Sequence, residues 1–207
     1  MTATHRILLL TIFPFTIVCM EATSCAQENS ASRWDEVARS VTIHRDQWGV
    51  PHIFGPTDSS VVFAYLYAQA EDNFWQVEEN IIRATGRGAE VHGEEALPGD
   101  ILVRALEVRR LSIEEYERSG LRMREICDAF AGGLNYFLKK NPAARPRLLK
   151  RFEPWHVFAF CRYGLYVQFV LRKAGISGRD VQGTLEELPP EHSQGSNMWA
   201  IAPSREW

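Results

Sequence analysis

The residues best placed to do chemistry lie near the C-terminus, in Gly195-Ser196-Asn197-Met198-Trp199-Ala200-Ile201-Ala202-Pro203-Ser204-Arg205. A serine that follows a glycine and opens an apolar run sets a hydroxyl at the mouth of a strand. Both faces of that run are apolar, Trp199 and Ile201 on one and Met198, Ala200 and Ala202 on the other, which suits a strand covered on both sides. Such a hydroxyl can attack its own preceding carbonyl. Ser196 Oγ adds to the Gly195 carbonyl, the N–C bond becomes an ester, and water cleaves the ester to leave Ser196 as a new N-terminus. Glycine has no Cβ and tolerates the strained backbone this needs. The α-amino group released has an ordinary pKa of about 7.7 to 8.0, against about 10.4 for lysine, so it is a base poised near neutral pH. Direct transfer from the hydroxyl would close a cramped five-membered ring, so a bridging water is expected to relay the proton. Taken alone, Gly-Ser is also a common turn pair leading into a strand, and the motif by itself favours that ordinary reading.

Two further stretches change the balance. Arg45-Asp46-Gln47-Trp48-Gly49-Val50-Pro51-His52-Ile53 and Ala68-Gln69-Ala70-Glu71-Asp72-Asn73-Phe74, followed in order by Gly195-Ser196-Asn197-Met198-Trp199-Ala200-Ile201, resemble the penicillin acylase family of N-terminal nucleophile hydrolases, which includes aculeacin and acyl-homoserine-lactone acylases. The resemblance extends over nearly everything from residue 39 to residue 205. It implies an α+β fold: the helix-dominated first chain of a four-layer αββα architecture, with a short N-terminal hairpin and a C-terminal strand, truncated before most of the sheets. It also implies hydrolysis of linear amides through an acyl-enzyme on Ser196, with autocleavage between Gly195 and Ser196. A helix following Glu153-Pro154 would line the acyl pocket, and its Gln168 and Phe169 would face substrate, although Phe169 as plain core is an equally good reading. The partners implied are a small-molecule amide and a second, longer chain from the same precursor. That second chain would carry the oxyanion donors, each typically worth about 10²- to 10³-fold in rate. Only residues 196–207 of it are present here, so activity of this polypeptide alone is not expected. A non-catalytic remnant or secreted acyl-binding module is the alternative. Similar enzymes often hold calcium, but no carboxylate occurs near Gly175 until Asp180, so no metal ligand is assigned and no cofactor is expected.

The domain organisation follows. Residues 1–26 read as an export signal: His5 and Arg6 precede the apolar run Ile7 to Met20, and small residues Ala22 to Ala26 follow. The segment is short for a membrane span. Cleavage after Ala26, and hence a secreted or periplasmic protein, is expected, with a lipid anchor at Cys25 as the second choice. Residues 27–172 form the acylase-like region, 173–195 a polar Gly- and Pro-containing spacer that processing could excise, and 196–207 the start of the second chain. With 207 residues, 45% hydrophobic and 24% charged, the chain has ordinary globular composition. A net charge of -3 and the lack of a basic run that would track phosphates exclude a nucleic-acid partner.

The elements that would position the site are legible from pattern. Val41 to Arg45 and Pro51 to Phe54 read as a hairpin across the turn Asp46 to Gly49, with His44 and His52 structural. Thr57-Asp58 would cap a helix from about Ser59 to Gln69, and a second helical run from Glu71 carries Phe74, Val77, Ile81 and Ala84 and stops at Gly86. Glu71, Asp72, Glu78 and Glu79 read as a solvated face with first-turn carboxylates and not as a metal site. Residues 86 to 100 read as loop, with no phosphate-cradling pattern. Ser112-Ile113-Glu114-Glu115 reads as a capping box opening a helix. After Ser119-Gly120, the stripe Met123, Ile126, Ala129, Phe130 and Leu134 runs to Asn141-Pro142, with Gly132-Gly133 allowing close packing. Arg145 to Arg151 is a helix edge or loop. Pro154 is expected at the first position of a helix that runs to about Arg172, apolar almost all round and hence buried. Cys127 and Cys161 are able to pair, but two helix-borne thiols are more often separate and inert.

Overall fold

In the computed structural model the described residues are 33–171, together with 173 and 175. They form a helical body with one two-stranded sheet: helix α1 (33–40), strands β1 (Thr42–Arg45) and β2 (Pro51–Phe54), and helices α2 (Asp58–Ala84), α3 (Ala89–His92), α4 (Leu97–Ala105), α5 (Val108–Arg118), α6 (Leu121–Lys140) and α7 (His156–Tyr163). A π-helical run, Gly164–Leu171, continues α7. The helix-dominated class with an N-terminal hairpin is as expected; the C-terminal strand expected at 198–202 lies outside the described residues.

The hairpin forms where the sequence places it, antiparallel with His44 opposite His52. Its turn is fixed by one carboxylate. Asp46 Oδ1 accepts from the Trp48 and Val50 amides at 2.8 and 3.0 Å, and Gly49 supplies the φ of 77° that closes the loop. Thr57 then caps α2: its hydroxyl accepts from the Ser60 amide, and Ser60 Oγ accepts from the Thr57 amide. The helical run continues past Gln69 and changes direction at Asn73, whose φ of -158° and ψ of 67° lie outside the helical region. The break between the two predicted helices is therefore a kink, three residues later than its pattern suggested.

Packing of α2 on α6 makes the centre of the body. Leu66, Ala70, Phe74, Ile81 and Ile82 of α2 meet Phe130, Ala131, Leu134 and Phe137 of α6, and Leu149 and Phe152 close the layer. Gly132 and Gly133 allow the approach. A Cβ on Gly133 would collide with the backbone carbonyl of Phe63, and one on Gly132 with the indole of Trp34, which itself stacks on Phe63 at 5.2 Å.

Two expectations are corrected here. Residues 86–100 are not loop: Gly86 and Gly93, with φ of 65° and 76°, separate short helices, and the first turn of α4 contains Pro98. The Asp100 carboxylate, itself buried, accepts from the Gly88 and Ala89 amides at 2.8 Å each and so ties α4 to α3. Ser112 does not open a helix. α5 is launched five residues earlier by Glu107, a left-handed residue with φ of 51°, and Ser112 is fully buried inside it with its Oγ unpartnered. In α6 the stripe is core from Cys127 onward, whereas Met123 is exposed.

Candidate functional site

The acyl-pocket helix expected after Glu153-Pro154 is α7 with its π-helical extension, and its two ends are built differently. The segment that leads into it, residues 147–153, is held by two polar side chains of the core. Glu78 of α2 is 0% exposed. Its carboxyl oxygens accept from the amides of Arg147, Leu148 and Leu149 at 3.0, 2.9 and 2.9 Å, so a buried polar side chain is hydrogen-bonded by three backbone donors. Asn135 of α6 grips the next turn with both ends of its amide, donating to the Phe152 carbonyl and accepting from the Phe152 amide, each at 2.8 Å. Pro154 lies in the turn before α7, not at its first position. The buried His156 side chain then accepts from the Glu153 amide at Nδ1, 3.2 Å away, which fixes the neutral tautomer with the proton on Nε2. Burial, reinforced by the positive charges of Arg87 and Arg109, pushes its pKa down to about 4.

At the far end the environment reverses. The expected apolar-all-round, buried helix is corrected: Phe160 is 44%, Leu165 60% and Phe169 52% exposed, with Tyr166 beside them. Apolar composition set that expectation, but among the described residues no element packs over this side. The winding widens at Gly164 into π geometry, which appears frequently at functional sites. Among the described residues Phe169 is therefore half exposed, while the Gln168 side chain, like Gly195 and Ser196, lies outside what is described.

Glu78 and Glu79 overturn the solvated-face reading of the α2 carboxylates. Glu79, nearly buried, accepts from Arg83 Nε at 2.6 Å and meets His92 Nε2 at 2.9 Å. Burial raises its pKa, but the Arg83 and His92 hydrogen bonds outweigh this and hold it below the usual carboxylate range. Glu71 and Asp72 do face solvent, where both pair with Arg45 of β1. The structural role of the histidine pair also stands: their rings lie 6.5 Å apart, and His52 Nε2 meets Asp46 Oδ2 at 3.2 Å. Sequence reasoning missed Glu78, although a signal existed. It sits in register with Phe74, Ile81 and Ile82 at i, i+4, i+7 and i+8, on the stripe that must face the core.

Cys127 and Cys161 are both free thiols. Burial first, and then nearby negative charge, pushes the Cys127 thiol up to about 11, so it is inert as a nucleophile near neutral pH. Among the described residues there is no group of three or more His, Cys, Asp or Glu able to hold a metal ion, and no helix long and apolar enough to cross a membrane.

The described residues thus form a helical body in which the launch of α7 is clamped by the core and its far side is apolar and open. Penicillin amidase is the family matched by residues 40–205, and this chain belongs to it. It is 32% identical to penicillin acylase 2 proenzyme of Pseudomonas sp. (strain SE83) over 131 residues, 59% of this chain and 16% of that protein. It is 27% identical to aculeacin-A acylase of Actinoplanes utahensis over 157 residues, 70% of this chain and 20% of that one. An acyl-homoserine lactone acylase, QuiP of Pseudomonas aeruginosa, is 28% identical over 141 residues, covering 63% of this chain and 17% of the relative. The chain thus spans a fifth or less of the length of these three relatives. Among solved structures, a thermostable penicillin G acylase from Alcaligenes faecalis matches 76% of this chain and 98% of its own chain, with a TM-score of 0.56 and 20% identity, a likeness of fold.

Proposed function

We propose that this chain is the helical part of an amide hydrolase that releases a carboxylic acid and an amine, with Ser196 as the nucleophile exposed by cleavage after Gly195. The observation that carries the reading is the family match, whose range runs from residue 40 to residue 205 and so includes the Gly195-Ser196 pair. The chemistry of that pair agrees with it: a hydroxyl that becomes N-terminal acquires its own base, the α-amino group. In this reading the exposed side of α7 and its extension, with Phe169, forms one wall of the acyl pocket, and the Glu78 and Asn135 clamps set where that wall begins. Residues 1–26 act as the export signal, the protein works outside the cytoplasm, and residues 173–195 form a spacer between the two chains.

The test is intact mass of the polypeptide with a second chain supplied downstream in continuous reading frame, as the parent and as Ser196→Ala, together with release of 4-nitroaniline from aryl-acyl and long-chain alkyl-acyl anilides. Scission between Gly195 and Ser196 that the substitution abolishes, with anilide turnover in the cleaved form only, is expected. An intact chain that binds acyl compounds without turnover would replace this reading with an acyl-binding module, which the exposed Phe160, Leu165 and Phe169 favour as the second choice.

A further inference from the structure

The stretch that leads into α7 carries charge of one sign. Residues 139–151 hold six cations, Lys139, Lys140, Arg145, Arg147, Lys150 and Arg151, and no carboxylate, in a chain whose net charge is -3. The backbone of its second half is fixed. Glu78 holds the amides of Arg147, Leu148 and Leu149, and Trp75 Nε1 donates to the Arg145 carbonyl at 3.3 Å. Leu149 is buried, while Arg145, Arg147, Lys150 and Arg151 are exposed. Lys139, Lys150 and Arg151 border one open depression of the surface, so the end of α6 and the loop after it present charge to the same side.

Three carboxylates answer these six cations. Asp35 meets Lys139 at 2.9 Å and Lys140 at 3.6 Å, and Glu153 meets Arg151 at 3.2 Å. Glu79 meets Arg147 at 3.8 Å but is already engaged by Arg83 and His92. Arg145 and Lys150 form no ion pair among the described residues. Positive charge is therefore left over on a held surface, which favours an acidic partner.

The complementary charge lies further along the same chain. Residues 180–195 contain Asp180, Glu186, Glu187 and Glu191 and neither Lys nor Arg. In sequence they follow the far end of the α7 run, whereas the basic loop precedes its near end. Residues 156–171 span about 24 Å at a helical rise, and residues 172–186 reach up to about 50 Å when extended, so the acidic stretch is long enough to return to the loop. Single exposed ion pairs are weak, but a tether of this length holds the acids near the loop at about millimolar effective concentration, which a free partner would have to match.

We propose that the acidic part of the spacer, residues 186–191, docks across the basic surface of residues 139–151, its carboxylates taken up by Lys139, Lys150 and Arg151. Docking anchors the chain four residues ahead of Gly195. It needs neither scission nor turnover, so it stands apart from the proposed hydrolysis.

Carbodiimide cross-linking of the full chain tests it, because the reagent joins a carboxylate to a lysine only where the two touch, and the lysines are Lys139, Lys140, Lys150 and Lys173. At about 10 mM salt, where charges act over about 30 Å, cross-links of Glu186, Glu187 or Glu191 to Lys139 or Lys150 are expected to exceed those to Lys173 by about fivefold or more. They are expected to fall about fivefold at about 1 M salt, where that range shrinks to about 3 Å. Arg145→Gln combined with Arg151→Gln, two exposed positions, is expected to lower them as far at low salt with the melting temperature unchanged. In a mixture of unlabelled and isotope-labelled chains they are expected within chains of one label. Cross-links confined to Lys173, cross-links indifferent to salt or to the double variant, or cross-links joining differently labelled chains, the mark of a second copy on this surface, would each overturn the proposal.

Discussion

The two ends of the α7 run obey opposite rules. Where the run begins, six backbone groups of the incoming chain have partners inside the body: three amides on Glu78, both backbone groups of Phe152 on Asn135, and the Glu153 amide on His156. Where it ends, apolar side chains face outward in π-helical geometry. The first end is held by the core, because five of its backbone donors are satisfied by side chains of the body. The second has apolar surface to spare, which in a soluble protein marks a place where something binds. The comparison separates residues that hold the fold from residues that offer a surface, although both are carried by one short stretch of chain.

That distinction is sharpest at Glu78. Glu78→Ala is expected to cost about 3 to 5 kcal/mol, since it removes a buried acceptor and strands three amides together. Glu78→Gln keeps one acceptor oxygen and is expected to lose less. Urea denaturation of both variants measures the difference, and an alanine loss under about 1 kcal/mol would break the clamp reading.

His156 should give a smaller effect, confined to a pH window. Its folded pKa of about 4 lies below the ordinary value of about 6.5. The unfolded chain therefore binds a proton first as pH falls, and stability is full above about pH 6.5 and declines toward pH 4, by up to about 3 kcal/mol. Carboxylates with lowered pKa, such as Glu79, add their own loss at still lower pH. Urea midpoints from pH 7 to pH 4 for the parent and His156→Gln isolate the histidine: the variant is expected to show a flatter slope between pH 6.5 and 4.

The smallest effect belongs to the open end. Phe169→Ala and Leu165→Ala are expected to change stability by no more than about 0.5 kcal/mol, because the parent side chains are already half exposed. A loss of 2 kcal/mol or more in thermal melts would show that this side is covered in solution and would erase the contrast between the two ends.

Local signals carried much of the architecture. Asp46 with Gly49, Thr57 with Ser60, and Ser119-Gly120 act within a few residues, so hairpin, cap and helix break were legible in the chain itself. The family was also legible, through three ordered motifs. Where the sequence misled, a distant partner decided. Ser112-Ile113-Glu114-Glu115 has the composition of a cap, but Glu107 starts the helix earlier and turns Ser112 into the core. The glycines of 86–100 suggested loop, but Asp100 caps α3 from twelve residues away.

The sequence by itself thus determined the strand register, the helix starts that rest on adjacent residues, and the Gly132-Gly133 contact, since each depends on short-range sterics or on the absence of a Cβ. Only the tertiary structure decided that Glu78 is buried and Phe169 exposed. Burial depends on what arrives from elsewhere in the chain: the 147–149 amides, some seventy residues away, cover Glu78, and no described element covers Phe169.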